Sequence, residues 1–184
     1  MGWRLLSSAF LWRSGWYNLR QDRVCTPEGR ELDYTLVDHP GAVWIVPVTA
    51  GGQVVLIRHY RYPVGEHCLE VPAGGLWPGA SPEEAARREL KEEAGGKAAE
   101  LRYIGRFYTS NGISNEIAHV YLATGVELGE PERALHLFRE SLPPHRNYPM
   151  SQWVTKGLAH LVIACAACDH WAVAARLAGV LAGA

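Results

Sequence analysis

The chain has 184 residues, 18 Lys+Arg against 19 Asp+Glu, a net charge of -1, and is 48% hydrophobic and 20% charged. That composition suits a globular domain with a sizeable core and excludes a disordered chain. The near-zero charge argues against a nucleic-acid binder that draws its affinity from phosphate neutralisation, although Arg58, His59 and Arg61 make a local basic patch.

Residues 1–30 are rich in Trp and Arg, with Trp3, Arg4, Trp12, Arg13, Trp16, Tyr17 and Arg20. Arg4 and Arg13 break the apolar runs and no small-residue cleavage site follows, so no secretory leader is expected. Pro27-Glu28-Gly29-Arg30 is a turn between two strands. The β-branched run 43–48 predicts a strand, Gly51-Gly52 a hairpin, and 54–60 the returning strand. A short strand is expected at 68–71, a helix at 81–94, strands at 101–108 and 117–123, and one more at 134–138. The chain from 155 on reads as helical. Lys156, His160, Asp169, His170 and Arg176 deny it the ~20 clean residues of a membrane span. Cys165-Ala-Ala-Cys168 has redox or zinc spacing, but it lies in an apolar helical run with no second pair, so core packing is the favoured reading. With Cys25 and Cys68 the expectation is a cytoplasmic protein with free thiols. Strands mixed with two separated helices predict an α+β or α/β/α fold, not a regular parallel βαβ array.

The segment 74–96, GGLWPGASPEEAARRELKEEAGG, carries the chemistry. Ser81 is a good N-cap, Pro82 suits the first helical position, Glu84 completes a capping box, and Gly95 and Gly96 stop the helix. Ala86, Leu90 and Ala94 form a core-facing stripe. The acids at the far end are harder to explain. Glu92 and Glu93 sit in the last turn, where the dipole disfavours anions, and Glu89 and Glu93 repel one another at i and i+4. Glu89, Glu92 and Glu93 are expected to converge, and a divalent cation would turn that cost into a gain; hard oxygen ligands suit Mg²⁺ or Mn²⁺. The competing reading is a solvated acidic face partnered by Arg87, Arg88 and Lys91.

Spacing favours the metal. Arg88-Glu89-Leu90-Lys91-Glu92-Glu93-Ala94-Gly95 resembles the core of the Nudix box, R-E-U-x-E-E-x-G with U apolar. At average residue usage such a match arises by chance in about one chain in several thousand. The full pattern places a Gly at Gly74, which matches, and a Glu at position 80, which is Ala80 here; Gly96 is a second, milder departure. Arg58-His59-Tyr60-Arg61-Tyr62-Pro63 and Leu69-Glu70-Val71-Pro72-Ala73-Gly74 resemble segments of the ADP-ribose pyrophosphatase-like subgroup, R-Q-Y-R-x-P and E-[LVF]-P-A-G, with His59 in place of Gln.

This resemblance, over about residues 16–125, implies a Nudix α/β/α sandwich with a mixed central sheet and an N-terminal β-strand extension. Residues 1–40 would be a dimerising extension and 41–184 the hydrolase domain. It implies metal-dependent cleavage of the pyrophosphate of ADP-ribose or a related nucleoside diphosphate sugar, with Mg²⁺ or Mn²⁺ as cofactor, in a homodimer with no nucleic-acid or membrane partner. Glu89, Glu92, Glu93 and the carbonyl of Ala73 would hold metal, and Glu92, Glu93 and Arg88 would be catalytic. Glu70 lies in the substrate-binding segment, and Arg61 would take a phosphate oxygen or the distal ribose. Tyr34 would stack on the base, and Glu116, in Ser110-Asn111-Gly112-Ile113-Ser114-Asn115-Glu116, would serve the substrate or the metal. Glu127, Glu130, Glu132 and Glu140 are the choices for the general base, Glu132 first because it precedes the strand expected at 134–138. The alternatives are a GDP-mannose-type hydrolase and a catalytically weak nucleotide-binding protein of the same fold, to which Ala80 points.

Overall fold

The computed structural model describes residues 2–130 and the backbone of 136–138. It contains two compact units: residues up to Gly41 together with Tyr108–Ala118, and Ala42–Phe107 together with the residues from His119 on.

The first unit is a three-stranded antiparallel meander of β1 (Arg4–Arg13), β2 (Asn18–Cys25) and β3 (Glu31–Asp38). The expected turn joins β2 to β3: Gly29 takes φ 83°, and its N–H donates to the Thr26 carbonyl. Strand β1 is exposed along nearly its whole length, and Leu5, Phe10, Leu11 and Trp12 face water in this chain. It therefore lacks the inside–outside alternation by which a strand is read from sequence. Arg20 ties β2 to β3 by donating to Asp22 and Asp38. The segment 109–116 docks on β3 through Val37 N–H to the Ile113 carbonyl (2.8 Å) and Ser114 Oγ to the Val37 carbonyl (3.1 Å).

The second unit contains β4 (Ala42–Thr49), β5 (Leu56–Arg61), β6 (Glu66–Glu70), β7 (Ala73–Gly75), α1 (Pro82–Ala94), β8 (Gly96–Lys97), β9 (Glu100–Tyr108), β10 (Ile117–Leu128, whose first residues belong to the other unit) and β11 (His136–Phe138). One sheet runs β7-β4-β10-β8, with β9 also on β10; the other runs β11-β5-β6. The hairpin expected at Gly51-Gly52 forms only at its tip. Val48 and Val54 make an isolated bridge, after which β4 and β5 part into different sheets. The strand expected at 134–138 is β11, antiparallel to β5. The helix expected from 155, with Cys165 and Cys168, lies outside the described residues. Cys25 and Cys68 are free thiols, and no described helix is long and apolar enough to cross a membrane.

Helix α1 begins and ends where its residues dictate. Ser81 Oγ accepts from Glu84 N–H (3.2 Å), and the Glu84 carboxylate accepts from Ser81 N–H (2.9 Å), closing the capping box. The bonds that the Ser81 N–H and then the Ser81 hydroxyl donate to the Glu84 carboxylate hold it below its ordinary value. At the far end Gly95 takes φ 59°, and its N–H reaches the Leu90 and Lys91 carbonyls. Gly95 also touches the strand end: Gly129 N–H donates to the Gly95 carbonyl (2.8 Å), and a Cβ on Gly95 would stand 2.5 Å from the Gly129 oxygen. Ala86, Leu90 and Ala94 are buried against Val43, Ile45 and Tyr121, as their spacing predicts. A second stripe, Ala85, Glu89 and Glu93, is buried beside it, so two of the carboxylates enter the packed side of the helix.

Candidate active site

Two carboxylates on successive turns of α1 meet strand β7. Glu89 is 2% exposed and Glu93 4%. Ionised side chains are rarely buried so fully unless partnered or bound to metal. Glu93 Oε2 accepts from the Ala73 amide (3.0 Å). The next residue, Gly74, leaves room for Glu89: a Cβ there would stand 2.2 Å from the Glu89 Cδ and 2.4 and 2.5 Å from its oxygens. Gly74 does not adopt a positive φ, so space is the reason for glycine at that position. Strand β7 thus presents an amide to one carboxylate and a gap to the other, and pairs with β4 through Ala42–Gly75, Val43–Gly74 and Trp44–Ala73.

Arg88 Nη2 donates to Glu89 Oε1 (3.2 Å), and its Nε lies 3.7 Å from Glu92 Oε1. The Arg88 guanidinium also lies 5.7 Å from the centre of the Trp77 ring. The expected convergence of three acids is thereby modified. Glu89 and Glu93 point into the packed side, whereas Glu92 is half-buried and turned to Arg88. Among the described residues no three His, Cys, Asp or Glu side chains gather closely enough to hold a metal by themselves. Two buried carboxylates backed by a glycine gap, with a third a turn away, remain a hard-oxygen donor set that fits a divalent cation.

Arg61 and Glu70 sit on the neighbouring hairpin of β5 and β6. Arg61 forks onto Glu70 through Nε (3.0 Å) and Nη2. Hydrogen bonding to Glu70 raises the Arg61 pKa; burial opposes this, and the negative charges of Glu70 and, more weakly, Glu93 support it. Arg61 thus stands within electrostatic reach of the carboxylate helix.

Tyr34 and Glu116 belong to the first unit. The Tyr34 hydroxyl donates to the Gly112 carbonyl (2.6 Å), and its ring lies edge-on to Trp3. Glu116 accepts from Thr109 Oγ1 through one oxygen, and its other oxygen lies 3.2 Å from His39 Nδ1. His39 and Thr109 are companions of Glu116 that the sequence does not announce; His39 lies too far away in the chain for any spacing to suggest it. Glu132 and Glu140 lie outside the described residues, while Glu127 sits on β10 opposite Lys97.

The site is thus a pair of buried carboxylates on a capped helix, set against a glycine-backed strand of a two-sheet α+β domain. The chain belongs to the Nudix family: the NUDIX domain model matches residues 38–155. It is 41% identical over 118 residues to the ADP-ribose pyrophosphatase of Bacillus subtilis (strain 168), covering 64% of each chain. It is 38% identical over 129 residues to the ADP-ribose pyrophosphatase of Mycobacterium tuberculosis (strain ATCC 25618 / H37Rv), covering 69% of this chain and 62% of that one. The chain spans about three fifths of the length of the first curated relatives it matches. A solved structure described as an ADP compounds hydrolase superposes with a TM-score of 0.65 at 20% identity, covering 100% of this chain and 96% of that one, which bears out the expected α+β Nudix fold.

Proposed function

We propose that the chain hydrolyses the pyrophosphate bond of ADP-ribose or a related nucleoside diphosphate sugar. Water is added across the P–O–P bridge, and a nucleoside monophosphate and a sugar phosphate leave. The observation that carries this reading is the buried Glu89–Glu93 pair against Ala73 and Gly74, with the Arg61–Glu70 fork in its field. The names of the relatives, including the ADP-sugar pyrophosphatase of Mus musculus at 42% identity over 106 residues, support the substrate class.

Glu89, Glu92, Glu93 and the Ala73 carbonyl would hold Mg²⁺ or Mn²⁺. Such a cation supplies neutralisation of phosphoryl charge and acidification of a water. Arg88 holds Glu89 and Glu92 in place. Arg61, freed in part from Glu70, offers a planar pair of donors to a phosphate or the distal ribose. Tyr34 supplies an aromatic face for the base, Glu116 a polar contact to the substrate, and Glu132 the general base. Contacts to the second sugar can be spent on the transition state. ADP-ribose should therefore give AMP and ribose 5-phosphate with Mg²⁺, far faster than ATP is cleaved, in chromatographic product analysis that includes GDP-mannose and UDP-glucose. Preference for ATP overturns the substrate class. Tight nucleotide binding without hydrolysis favours the binding-protein reading, to which Ala80 points.

Residues before about 40 form a dimerising extension in this reading. Trp3, Leu5, Leu11, Trp12 and Trp16 are exposed in the single chain, and apolar patches of this kind mark interfaces. Sedimentation at micromolar concentration should show a dimer, and a monomer there counts against the extension. The free thiols of Cys25 and Cys68 fit a reducing, cytoplasmic compartment.

A further inference from the structure

The loop from β7 to α1, Leu76-Trp77-Pro78-Gly79-Ala80, contains no acid. It is nevertheless stiff. Ala80 N–H donates to the Trp77 carbonyl (3.1 Å), Pro78 holds the first corner, and Gly79 the second with φ 86°, the arrangement of a type II turn. The Ser81–Glu84 capping box fixes the chain directly afterwards. Trp77 thus hangs from a rigid support while 56% of its surface stays in water.

The charged neighbour of that ring is Arg88, 5.7 Å from the ring centre, within the range in which an aromatic face attracts a guanidinium. Arg88 needs such help. It is shared between Glu89 and Glu92, its side chain is 35% exposed, and Arg placed N-terminal to Glu at i, i+4 is the weaker order for a helix pair. An aromatic face makes no claim on the N–H groups that Glu89 and Glu92 accept.

We propose that Trp77 is a positioning residue: held by the Trp77–Ala80 turn, its indole face steadies the Arg88 guanidinium against Glu89 and Glu92. The catalytic consequence rests on the hydrolase reading above; the contact itself does not. Trp77 touches no reacting atom in this proposal, so its loss misplaces carboxylates without weakening the grip on substrate.

Two measurements on the full chain test it. In an unfolding double-mutant cycle of W77A, R88A and the pair, the two residues should be coupled by about two- to five-fold in the unfolding equilibrium constant. With ADP-ribose and saturating Mg²⁺, W77A should lower kcat about three- to ten-fold and leave KM within about two-fold. W77F should retain most of kcat. Zero coupling in the cycle overturns the proposal, as does a W77A effect confined to KM, which would make the ring a substrate contact. A wild-type chain that cleaves nothing removes the hydrolase reading, while the unfolding cycle still decides the contact.

Discussion

Glu93→Gln should lower kcat on ADP-ribose about a thousand-fold, equivalent to about 4 kcal/mol of transition-state stabilisation. The fold should be untouched. The Gln oxygen can accept from the Ala73 amide as Glu93 Oε2 does, so the bond to β7 is kept. The charge goes, and with it a repulsion with Glu89 at i, i+4 that costs a few tenths of a kcal/mol and a weaker attraction to Arg61. The metal-free variant should therefore melt at or slightly above the wild-type temperature. Steady-state kinetics with Mg²⁺ beside a thermal melt check both halves. Unchanged turnover would remove Glu93 from the chemistry.

Gly74→Ala should also damage activity, about ten-fold less than Glu93→Gln, and through space alone. The added methyl would overlap the Glu89 carboxylate, standing 2.2 Å from its Cδ. That carboxylate is the far end of a flexible side chain, so it can swing away, and the cost to stability should stay near the low end of the about 1–3 kcal/mol typical of overpacking. The cost to catalysis should be larger, about a hundred-fold in kcat, because a displacement of about 1 Å at a reacting centre has that effect. Gly75 is the built-in control. It follows in the same strand, and a Cβ added there would meet nothing within 4 Å, so Gly75→Ala should keep most of the activity. Equal losses in the two variants would show that β7 tolerates no side chain at all, and the assignment of Gly74 to Glu89 would fail.

How legible these features are in the sequence depends on how local their causes are. Helix α1 is readable because its start and stop are written within a few residues, in Ser81, Pro82, Glu84 and Gly95. Its carboxylates are readable because unfavourable charge at a helix end demands an explanation. That Glu89 and Glu93 are buried while Glu92 turns to Arg88 is not readable, since it depends on β7 arriving with a gap at Gly74. The course of β5 departs from the expected hairpin for a similar reason. Gly51-Gly52 specifies a reversal, but nothing in the turn says how long two strands stay paired after it, and β5 is claimed by β6 and β11. Strand β1 carries no alternation because most of its residues face outward in the single chain. Glu116 is singled out by its motif, yet its partner His39 comes from a distant part of the chain.

The meeting of Gly95 with Gly129 makes position 95 answerable, during divergence, to a position far away in the chain. A left-handed helix terminus taken alone admits Asn as well as Gly. Here the Gly129 carbonyl lies where that Asn Cβ would go, so position 95 is barred to every side chain until the end of β10 withdraws. Withdrawal would break the hydrogen bond from Gly129 N–H to the Gly95 carbonyl that joins the end of the carboxylate helix to the central sheet. Loss of Gly95 therefore has to wait for the end of β10 to move, whereas a Cβ on Gly129 would stand 3.3 Å from the Gly95 oxygen and need a shift of only a few tenths of an ångström, so the constraint runs in one direction.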